Sequence, residues 1–215
     1  MDFDEVIAKR RSARDFTAEP ISKDVLMDVV RQAQRTPSWA NSQPWKVYIA
    51  TGEALTAIKR QHAELSSNEE PGASELPVRS RSEWGTDPQH NMAALMQDIQ
   101  SYMGDDLPDF ALAQQRLFNA AALVYLTIPN QIIPWSLYDL GAFSQSLLLS
   151  AANKGIGSIP AYEIVKYPQV VRPIMGIPDE EALVAGIALG YPSQDRINNY
   201  ISGRAAMDQI LVIKE

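Results

Sequence analysis

The sequence has 215 residues, which is enough for a single domain with a sizeable core. Apolar residues make up 46% and charged residues 21%, an ordinary balance for a globular protein. The formal charge of -7 argues against a general nucleic-acid binder, which needs a basic face to neutralise phosphates. The absence of cysteine excludes disulfides, thiolate nucleophiles and cysteine-ligated metal sites.

Neither a membrane segment nor a secretion signal is expected from the sequence. No apolar run reaches the roughly 18 residues that cross a bilayer. Met1 is followed by acidic residues and a short helical pattern, whereas a signal peptide carries an apolar run there. We therefore expect a cytoplasmic protein that has no membrane partner.

Three arginines and a serine fall within five residues, Arg10-Arg11-Ser12-Ala13-Arg14, after a short amphipathic helix predicted over residues 2–9. Guanidinium groups bind phosphate through two parallel hydrogen bonds and keep their charge at any working pH. In an acidic chain, this cluster indicates either an anion site or a solvent-exposed charged turn. From charge alone, the two interpretations are equally supported.

A loop rich in proline and tryptophan, Pro37 to Trp45, follows a helix predicted over residues 23–35. The helix must end before Pro37, because the residue that precedes a proline is pushed out of the helical region. The loop either ties its aromatic rings to the core or presents amides and hydroxyls to a planar ligand. Residues 45–51 alternate in polarity and are predicted to form a strand.

The middle of the chain combines helical patterns with a long polar stretch. Helices are predicted over residues 53–65, 91–102 and 108–118. Residues 66–89 have no periodicity, and we interpret them as a surface excursion that could act as a lid. The two histidines, His62 and His90, have no catalytic pattern around them and are interpreted as surface residues.

In the second half, strands are predicted over residues 121–128 and 183–189, and helices over 134–153 and 168–175. The helix over 134–153 is apolar on nearly every face, which is typical of a central core or interface helix. Glycines at 155 and 157 follow this helix rather than a strand, so they do not form a dinucleotide fingerprint. They predict instead a tight turn with free amides at Ala161, Tyr162 and Glu163.

The chain ends in a β-branched run over residues 209–214. Its apolar side chains must be buried, because an exposed apolar strand tends to pair with other chains. It could complete the protein's own sheet or add to the sheet of another subunit. Arg204 lies just before this run and is a fourth candidate for binding an anion.

The sequence contains no motif typical of acid–base or nucleophilic catalysis by side chains. There is no GxSxG, HExxH, P-loop or EF-hand pattern and no convincing pair of carboxylates. If the protein is an enzyme, we expect a cofactor to carry the chemistry.

Five motifs, taken together, resemble the FMN-dependent nitroreductase family nearly end to end. In chain order they are Arg10-Arg11-Ser12-x-Arg14-x-Phe16 with Pro20, Pro37-Ser38-x-x-Asn41-x-Gln43-Pro44-Trp45, Asp139-Leu140-Gly141-Ala142 leading to Gly155-Ile156-Gly157, Ala188-Leu189-Gly190-Tyr191-Pro192, and Arg204. Each motif is weak alone, whereas five in this order and at this spacing are a strong signal.

The resemblance implies an α+β fold with a central mixed or antiparallel sheet wrapped by helices, in one domain over residues 1–215. It implies a homodimer with FMN at the subunit interface, in which residues 205–215 add a strand to the partner's sheet. The reaction it implies is hydride transfer from NADH or NADPH, through flavin N5, to a nitroaromatic, a quinone or a similar planar acceptor. This ping-pong cycle needs no catalytic side chain. One alternative is a flavoenzyme of the same fold that dehydrogenates or dehalogenates its substrate, or that fragments its substrate or its flavin. The others are a non-catalytic FMN-binding protein and a phosphate-binding module without flavin.

The resemblance also implies a role for each matching position. Arg10, Ser12 and Arg204 hold the FMN phosphate, Arg11 supplies backbone contacts, and Arg14 faces the pyrimidine edge of the flavin. The other subunit contributes Pro37, Ser38, Trp39 and Asn41. Tyr162 and Glu163 match the turn whose backbone amide points at N5.

Three positions depart from the family pattern. Tyr162 and Glu163 stand where members often carry Glu-Gly, so that Tyr162 either narrows the cleft or packs. Arg116 is the candidate for a basic residue found in many members near the following strand. Residues 66–110 match no family motif and are expected to shape the substrate pocket.

Overall fold

Four antiparallel strands form the centre of the structure, a computed structural model that describes residues 1–215. They are β1 (Lys46–Ala50), β2 (Ala122–Pro129), β3 (Gly157–Pro160) and β4 (Glu181–Gly190). Their order across the sheet is β1-β2-β4-β3, so that β1 and β3 are the edges. The expected mixed or antiparallel sheet is thus antiparallel in all three pairings.

Eight helices accompany the sheet. They are α1 (Phe3–Lys9), α2 (Lys23–Ala33), α3 (Gly52–Ser67), α4 (Thr86–Met103), α5 (Leu107–Gln115), α6 (Pro134–Asn153), α7 (Pro168–Met175) and α8 (Met207–Ile210). None of them combines the length and the apolar character that crossing a bilayer requires.

Alternate residues of β2 face two separate cores, as the two-residue period of a strand requires. Val124 and Leu126 belong to a core that includes residues of α2 and α6. Leu123 and Tyr125 belong to a second core that includes residues of α3 and α7. Helices therefore cover both faces of the sheet, and every residue of β2 from 122 to 128 is buried.

A third, smaller core lies away from the sheet. It consists of Ile99 and Met103 from α4 together with Ile197 and Tyr200 near the C-terminus, and Phe110 of α5 packs against it. This cluster fixes the helix pair α4–α5 to the segment that follows β4.

The predicted helices agree with the structure at α2, α3, α6 and α7, and α6 has the predicted bounds. The helix predicted over 91–102 begins earlier, at Thr86, which shortens the polar excursion. The helix predicted over 108–118 ends at Gln115, because Leu117, Phe118 and Asn119 adopt left-handed backbone with φ of 49°, 60° and 57°.

The C-terminal run does not complete the protein's own sheet. Its first residues form the single turn α8, and residues 211–215 pair with no strand. Val212 and Ile213 are 81% and 74% exposed. Of the two alternatives for this run, completion of the protein's own sheet does not occur in the structure, whereas addition to a partner's sheet stays a prediction.

Candidate functional site

The arginine-rich segment lies along the edge strand β3. The backbone N–H of Ala13 donates to the carbonyl of Ser158 at 3.0 Å, and Ser12 forms a parallel bridge with Ser158. Farther along the segment, Phe16 bridges to Pro192. The segment is therefore held in register with the end of the sheet rather than lying loose on the surface.

Two glycines allow this close approach. Gly157 and Gly190 are partners in the β3–β4 ladder. A Cβ at Gly157 would lie 2.5 Å from the ring of Pro192, and a Cβ at Gly190 would lie 2.6 Å from Phe16. Any larger residue at either position would push the N-terminal segment off the sheet.

Arg10 and Arg11 line a cavity of about 420 Å³ together with Lys9 and residues 155–158. None of these three cations forms an ion pair within the chain. No acidic residue lines the cavity. A group of unpaired cations around a cavity is suited to an anion, and guanidinium is the preferred group for phosphate.

Arg14 is half-buried at the same segment. Its Nη1 donates to the carbonyl of Ser12 at 3.2 Å, and its guanidinium lies within 6 Å of the ring centres of Phe110 and Tyr200. Burial lowers the pKa of this guanidinium, an effect that the nearby Tyr200 partly opposes.

Asn198 fixes the main chain at this point, a role that its sequence context does not predict. Its Oδ1 accepts hydrogen bonds from the backbone N–H groups of Arg14 at 2.7 Å and of Asp15 at 3.2 Å. Its Nδ2 donates to the carbonyl of Asp15 at 2.8 Å. Nothing in the sequence distinguishes this buried asparagine from its neighbour Asn199, because its partners lie far away along the chain.

The turn after β3 has two free amides and not three. The N–H of Ala161 donates to the carbonyl of Gly186 at 3.1 Å, so the prediction of a free amide is wrong for this residue. Tyr162 and Glu163 begin a 3₁₀ turn, and their amides donate to no protein acceptor. This follows from their position, because the first N–H groups of such a turn have no partner within it.

The side chain of Glu163 points away from that turn into a buried cluster. Its Oε1 lies 3.3 Å from Nε2 of His62 and 3.1 Å from Nζ of Lys166. Burial alone would raise the pKa of Glu163, but these two partners hold it below its usual value. Glu163 therefore presents only its backbone to the surface of the turn.

His62 is buried, not exposed as the sequence analysis expected. Only 3% of it is accessible, and its Nδ1 lies 3.2 Å from the carbonyl of Gln115. The spacing of Leu55, Ile58 and His62 places all three on one face of α3, and all three are buried. That periodicity is the signal that could have identified it. His90, in contrast, is exposed as expected.

Tyr162 contacts the polar excursion. A Cβ added to Gly72 would lie 2.3 Å from the hydroxyl of Tyr162, so the two residues are in close contact. Tyr162 also lines a cavity of about 350 Å³, together with residues 76–78 and residues 184–186 of β4.

The first part of the excursion is anchored to the body of the protein. Glu75 forms a two-point ion pair with Arg172, at 2.6 and 2.9 Å, and accepts a 2.6 Å hydrogen bond from the N–H of Leu183. Tyr167 donates to the carbonyl of Glu70 at 2.9 Å. Residues 77–85, which carry Arg79, Arg81 and Trp84, bond only among themselves and to Gln89.

The loop over residues 37–45 lies on α6. The buried carboxylate of Asp139 accepts the N–H of Trp39 at 3.0 Å, and the ring of Trp45 stacks on Phe143 with centroids 4.7 Å apart. Trp39 itself is 60% exposed. The interpretation that the loop ties its aromatic rings to the core thus holds for Trp45 and not for Trp39, whereas presentation of the loop to a planar ligand stays a prediction.

Within one chain, the predicted site residues form three separate groups. Residues 10–14 lie beside β3, and the 162–163 turn follows the last residues of the same strand. No hydrogen bond joins Pro37, Ser38, Trp39 or Asn41 to either. Arg204 is exposed and donates only to Ser202 and Gly203.

The profile of the nitroreductase family matches residues 7–191 of this sequence. The chain belongs to the nitroreductase family. Among curated proteins of that family, it is 27% identical to a 4-nitrobenzoate reductase from Pseudomonas putida, over 92% of this chain and 88% of that protein.

Solved structures of the nitroreductase family confirm the predicted fold. The crystal structure of the FMN-dependent nitroreductase NfnB from Mycobacterium smegmatis in complex with NADPH matches with a TM-score of 0.91 and 23% identity, over 99% of this chain and 97% of that chain. The FMN and NADPH-dependent NfnB from Sphigopyxis sp. strain HMH matches with a TM-score of 0.88 and 25% identity, over the full length of both chains. The expected α+β nitroreductase-like architecture is therefore correct.

Proposed function

We propose that this protein is an FMN-dependent oxidoreductase that takes hydride from NADH or NADPH and delivers it to nitroaromatic compounds or similar planar acceptors. Family membership and the named activities of its relatives support this assignment. FMN, when bound, supplies the hydride chemistry, which the side chains of this chain do not provide.

The pairing of Ser12 with Ser158 is the observation that carries the proposal. It brings the arginine-rich segment alongside β3, the strand that leads directly into the Tyr162–Glu163 turn. One ligand lying along this edge could meet cations at one end and free amides at the other. The donor set fits FMN, which has a dianionic phosphate and a ring system edged with hydrogen-bond acceptors.

The residues have the following roles in this proposal. Arg10, Ser12 and Arg204 bind the phosphate, and Arg11 contributes its backbone. Arg14 faces the pyrimidine edge of the flavin, where a guanidinium stabilises developing negative charge. A free amide of the turn, from Tyr162 or Glu163, orients N5. Arg204 has to turn away from its contacts with Ser202 and Gly203 to reach the phosphate.

A second copy of the chain completes the site in this proposal. Pro37, Ser38, Trp39 and Asn41 then reach the flavin from the partner, which accounts for an exposed Trp39 on a loop that α6 holds in place. The preceding residue, Thr36, strengthens that hold through a 2.7 Å hydrogen bond to Ser146 of α6.

The C-terminal residues have a place to bind on that second copy. β1 is a sheet edge, and beside it runs a groove of about 640 Å³. Its apolar lining is Ile21, Leu26, Met27, Val30, Val47 and Ile49. A strand formed by residues 211–215 of the partner would pair with the unpaired backbone N–H and C=O groups of β1. The pairing would also cover the exposed apolar side chains of those partner residues.

Anaerobic absorbance spectroscopy tests the proposed function. The purified protein, supplied with FMN, is expected to show a flavin spectrum that bleaches with NADH or NADPH and recovers with 4-nitrobenzoate. If the flavin spectrum recovers only with a different acceptor, the proposed cofactor stands and the proposed acceptor is wrong. A protein that takes up no FMN would overturn the proposal at its centre.

A further inference from the structure

Arg14 differs from the other arginines of the site because aromatic rings surround its guanidinium. The guanidinium carbon lies 5.4 Å from the ring centre of Phe110 and 5.7 Å from that of Tyr200. No carboxylate lies within ion-pair distance. Only Nη1 donates a hydrogen bond within the chain, to Ser12. The cation is therefore held by two rings and one carbonyl, and most of its N–H donors are free.

The third hydrophobic core sets the position of these two rings. Phe110 projects from α5, and Tyr200 follows the 3₁₀ turn over Arg196–Asn199. Tyr200 is only 8% exposed, and its ring lies 5.5 Å from that of Tyr102 on α4. The hydroxyl of Tyr102 donates in turn to the carbonyl of Arg196 at 3.1 Å. The pair α4–α5 and the 196–200 turn thus form one packed unit.

That unit also holds the backbone of Arg14. Asn198, from the same turn, accepts the N–H of Arg14 at 2.7 Å and binds Asp15 through both of its side-chain atoms. The turn therefore contacts Arg14 twice, at the main chain through Asn198 and at the guanidinium through Tyr200. Both the main chain and the guanidinium of Arg14 are therefore held in place.

Half-burial without a counter-charge costs free energy for the guanidinium of Arg14. That cost is offset when the fixed position of the group serves to bind a ligand. A half-buried charge without a counter-charge loses hydration, and burial lowers the pKa of Arg14. The faces of aromatic rings offset only part of that loss. The benefit is that the guanidinium is already oriented and partly dehydrated when a ligand arrives, so that little ordering remains.

We infer that Phe110 and Tyr200 are positioning residues, which hold the guanidinium of Arg14 against the pyrimidine edge of bound FMN and so raise the midpoint potential of the cofactor. The inference rests on the proposed FMN site. A fixed positive charge at this edge favours the more negative redox form of the cofactor, whereas a guanidinium that rotates into water favours it less. The helix pair α4–α5 thereby acts on the cofactor through Arg14.

Spectroelectrochemical titration of the FMN-loaded protein tests this inference. Tyr200→Leu and Phe110→Leu are each expected to keep FMN and to weaken the preference for the reduced cofactor by about tenfold, a fall of roughly 30 mV for a two-electron couple. Tyr200→Phe is the matched control, because it keeps the ring and removes only a hydroxyl that has no hydrogen-bond partner.

A double-mutant cycle separates positioning from general disturbance of the core. Arg14→Gln is expected to lower the potential by itself, and adding Tyr200→Leu to it should then have no further effect. An unchanged potential in the FMN-loaded Tyr200→Leu and Phe110→Leu proteins would overturn the inference while the proposed function stands. A full additional fall in the Arg14→Gln background would also overturn it. A wild-type protein that binds no FMN would overturn the proposed function itself, and the inference with it.

Discussion

The hydroxyl of Tyr162 lies so close to Gly72 that a Cβ at position 72 would fall 2.3 Å from it. This contact joins the turn after β3 to the anchored part of the excursion, where Ala73 also donates to the carbonyl of Lys166 at 2.9 Å. The same tyrosine lines the cavity formed with residues 76–78. Tyr162 thus packs against one segment and lines a cavity at the same time.

Replacing Gly72 by alanine should therefore change substrate binding more than stability. The added methyl group displaces the flexible end of Tyr162, which reshapes the cavity beside the turn. We expect the KM for a nitroaromatic acceptor to change about three- to tenfold, which is on the order of 1 kcal/mol of pocket contact. FMN content should stay at the wild-type level.

Steady-state kinetics with 4-nitrobenzoate measure this effect. Gly85→Ala is the matched control, because a Cβ there meets its nearest neighbour at 4.0 Å, an ordinary contact. If Gly72→Ala and Gly85→Ala give the same acceptor KM as the wild type, the cavity beside Tyr162 does not bind the acceptor.

Arg204→Ala should weaken FMN binding, although the exposed guanidinium now contacts only residues 202–203. A charge-assisted contact to phosphate contributes roughly 1.5–3 kcal/mol, so we expect the Kd for FMN to rise about 10- to 100-fold. Fluorescence titration of the apoprotein with FMN measures this directly. Arg60→Ala, an exposed cation on α3, controls for the loss of one positive charge. Equal affinities in the two variants would remove Arg204 from the site.

The elements that could be predicted from sequence are those with local signals. α6 has its predicted bounds because Pro134 begins it, apolar residues occupy nearly every face of it, and Gly155 follows its end. The cluster over residues 10–14 was recognisable because its charge contrasts with an acidic chain.

The features that the sequence did not reveal depend on distant contacts. The end of α5 was misplaced because Leu117, Phe118 and Asn119 adopt left-handed backbone without a glycine among them. Tertiary hydrogen bonds hold that turn, since the carbonyl of Phe118 accepts from Phe16 and that of Ala120 accepts from Lys59. Asn198 could not be predicted for the same reason, because Arg14 and Asp15, whose main chain it holds, lie more than 180 positions away.

Truncation of the chain after Ala205 should abolish the dimer and FMN binding together. In the proposed assembly, the removed residues cover the groove beside β1, and the partner supplies part of each flavin site. Light scattering coupled to gel filtration, with absorbance at the flavin band, reports both properties in one run. Ile213→Glu in the full chain provides a milder test, because it places a charge among the exposed apolar residues of the tail. A yellow, stable monomer in either case would contradict the exchanged strand.

Glu181 ties three strands together at one end of the sheet. Its Oε2 accepts hydrogen bonds from Tyr48 of β1 at 2.9 Å and from the buried Thr127 of β2 at 2.6 Å, and its Oε1 pairs with Lys46. Burial would raise the pKa of this carboxyl, but the bonds from Lys46, Thr127 and Tyr48 outweigh it and hold the pKa below the ordinary value of 4.5. The folded state therefore binds this proton less readily than the unfolded state does.

The sign of the pH dependence follows from that depressed pKa. The ionised Glu181 stabilises the fold fully above its unfolded pKa, and this contribution is lost as the pH falls through the lower pKa of the folded state. Glu181→Gln should thus lower the free energy of unfolding at pH 7 by about 1–3 kcal/mol, and the gap to wild type should shrink below about pH 4. Urea denaturation at pH 7, 5 and 3.5 measures both, with the exposed neighbour Glu180→Gln as the control. A gap that stays constant down to pH 3.5 would show that the hydrogen bonds do not depend on the charge of Glu181.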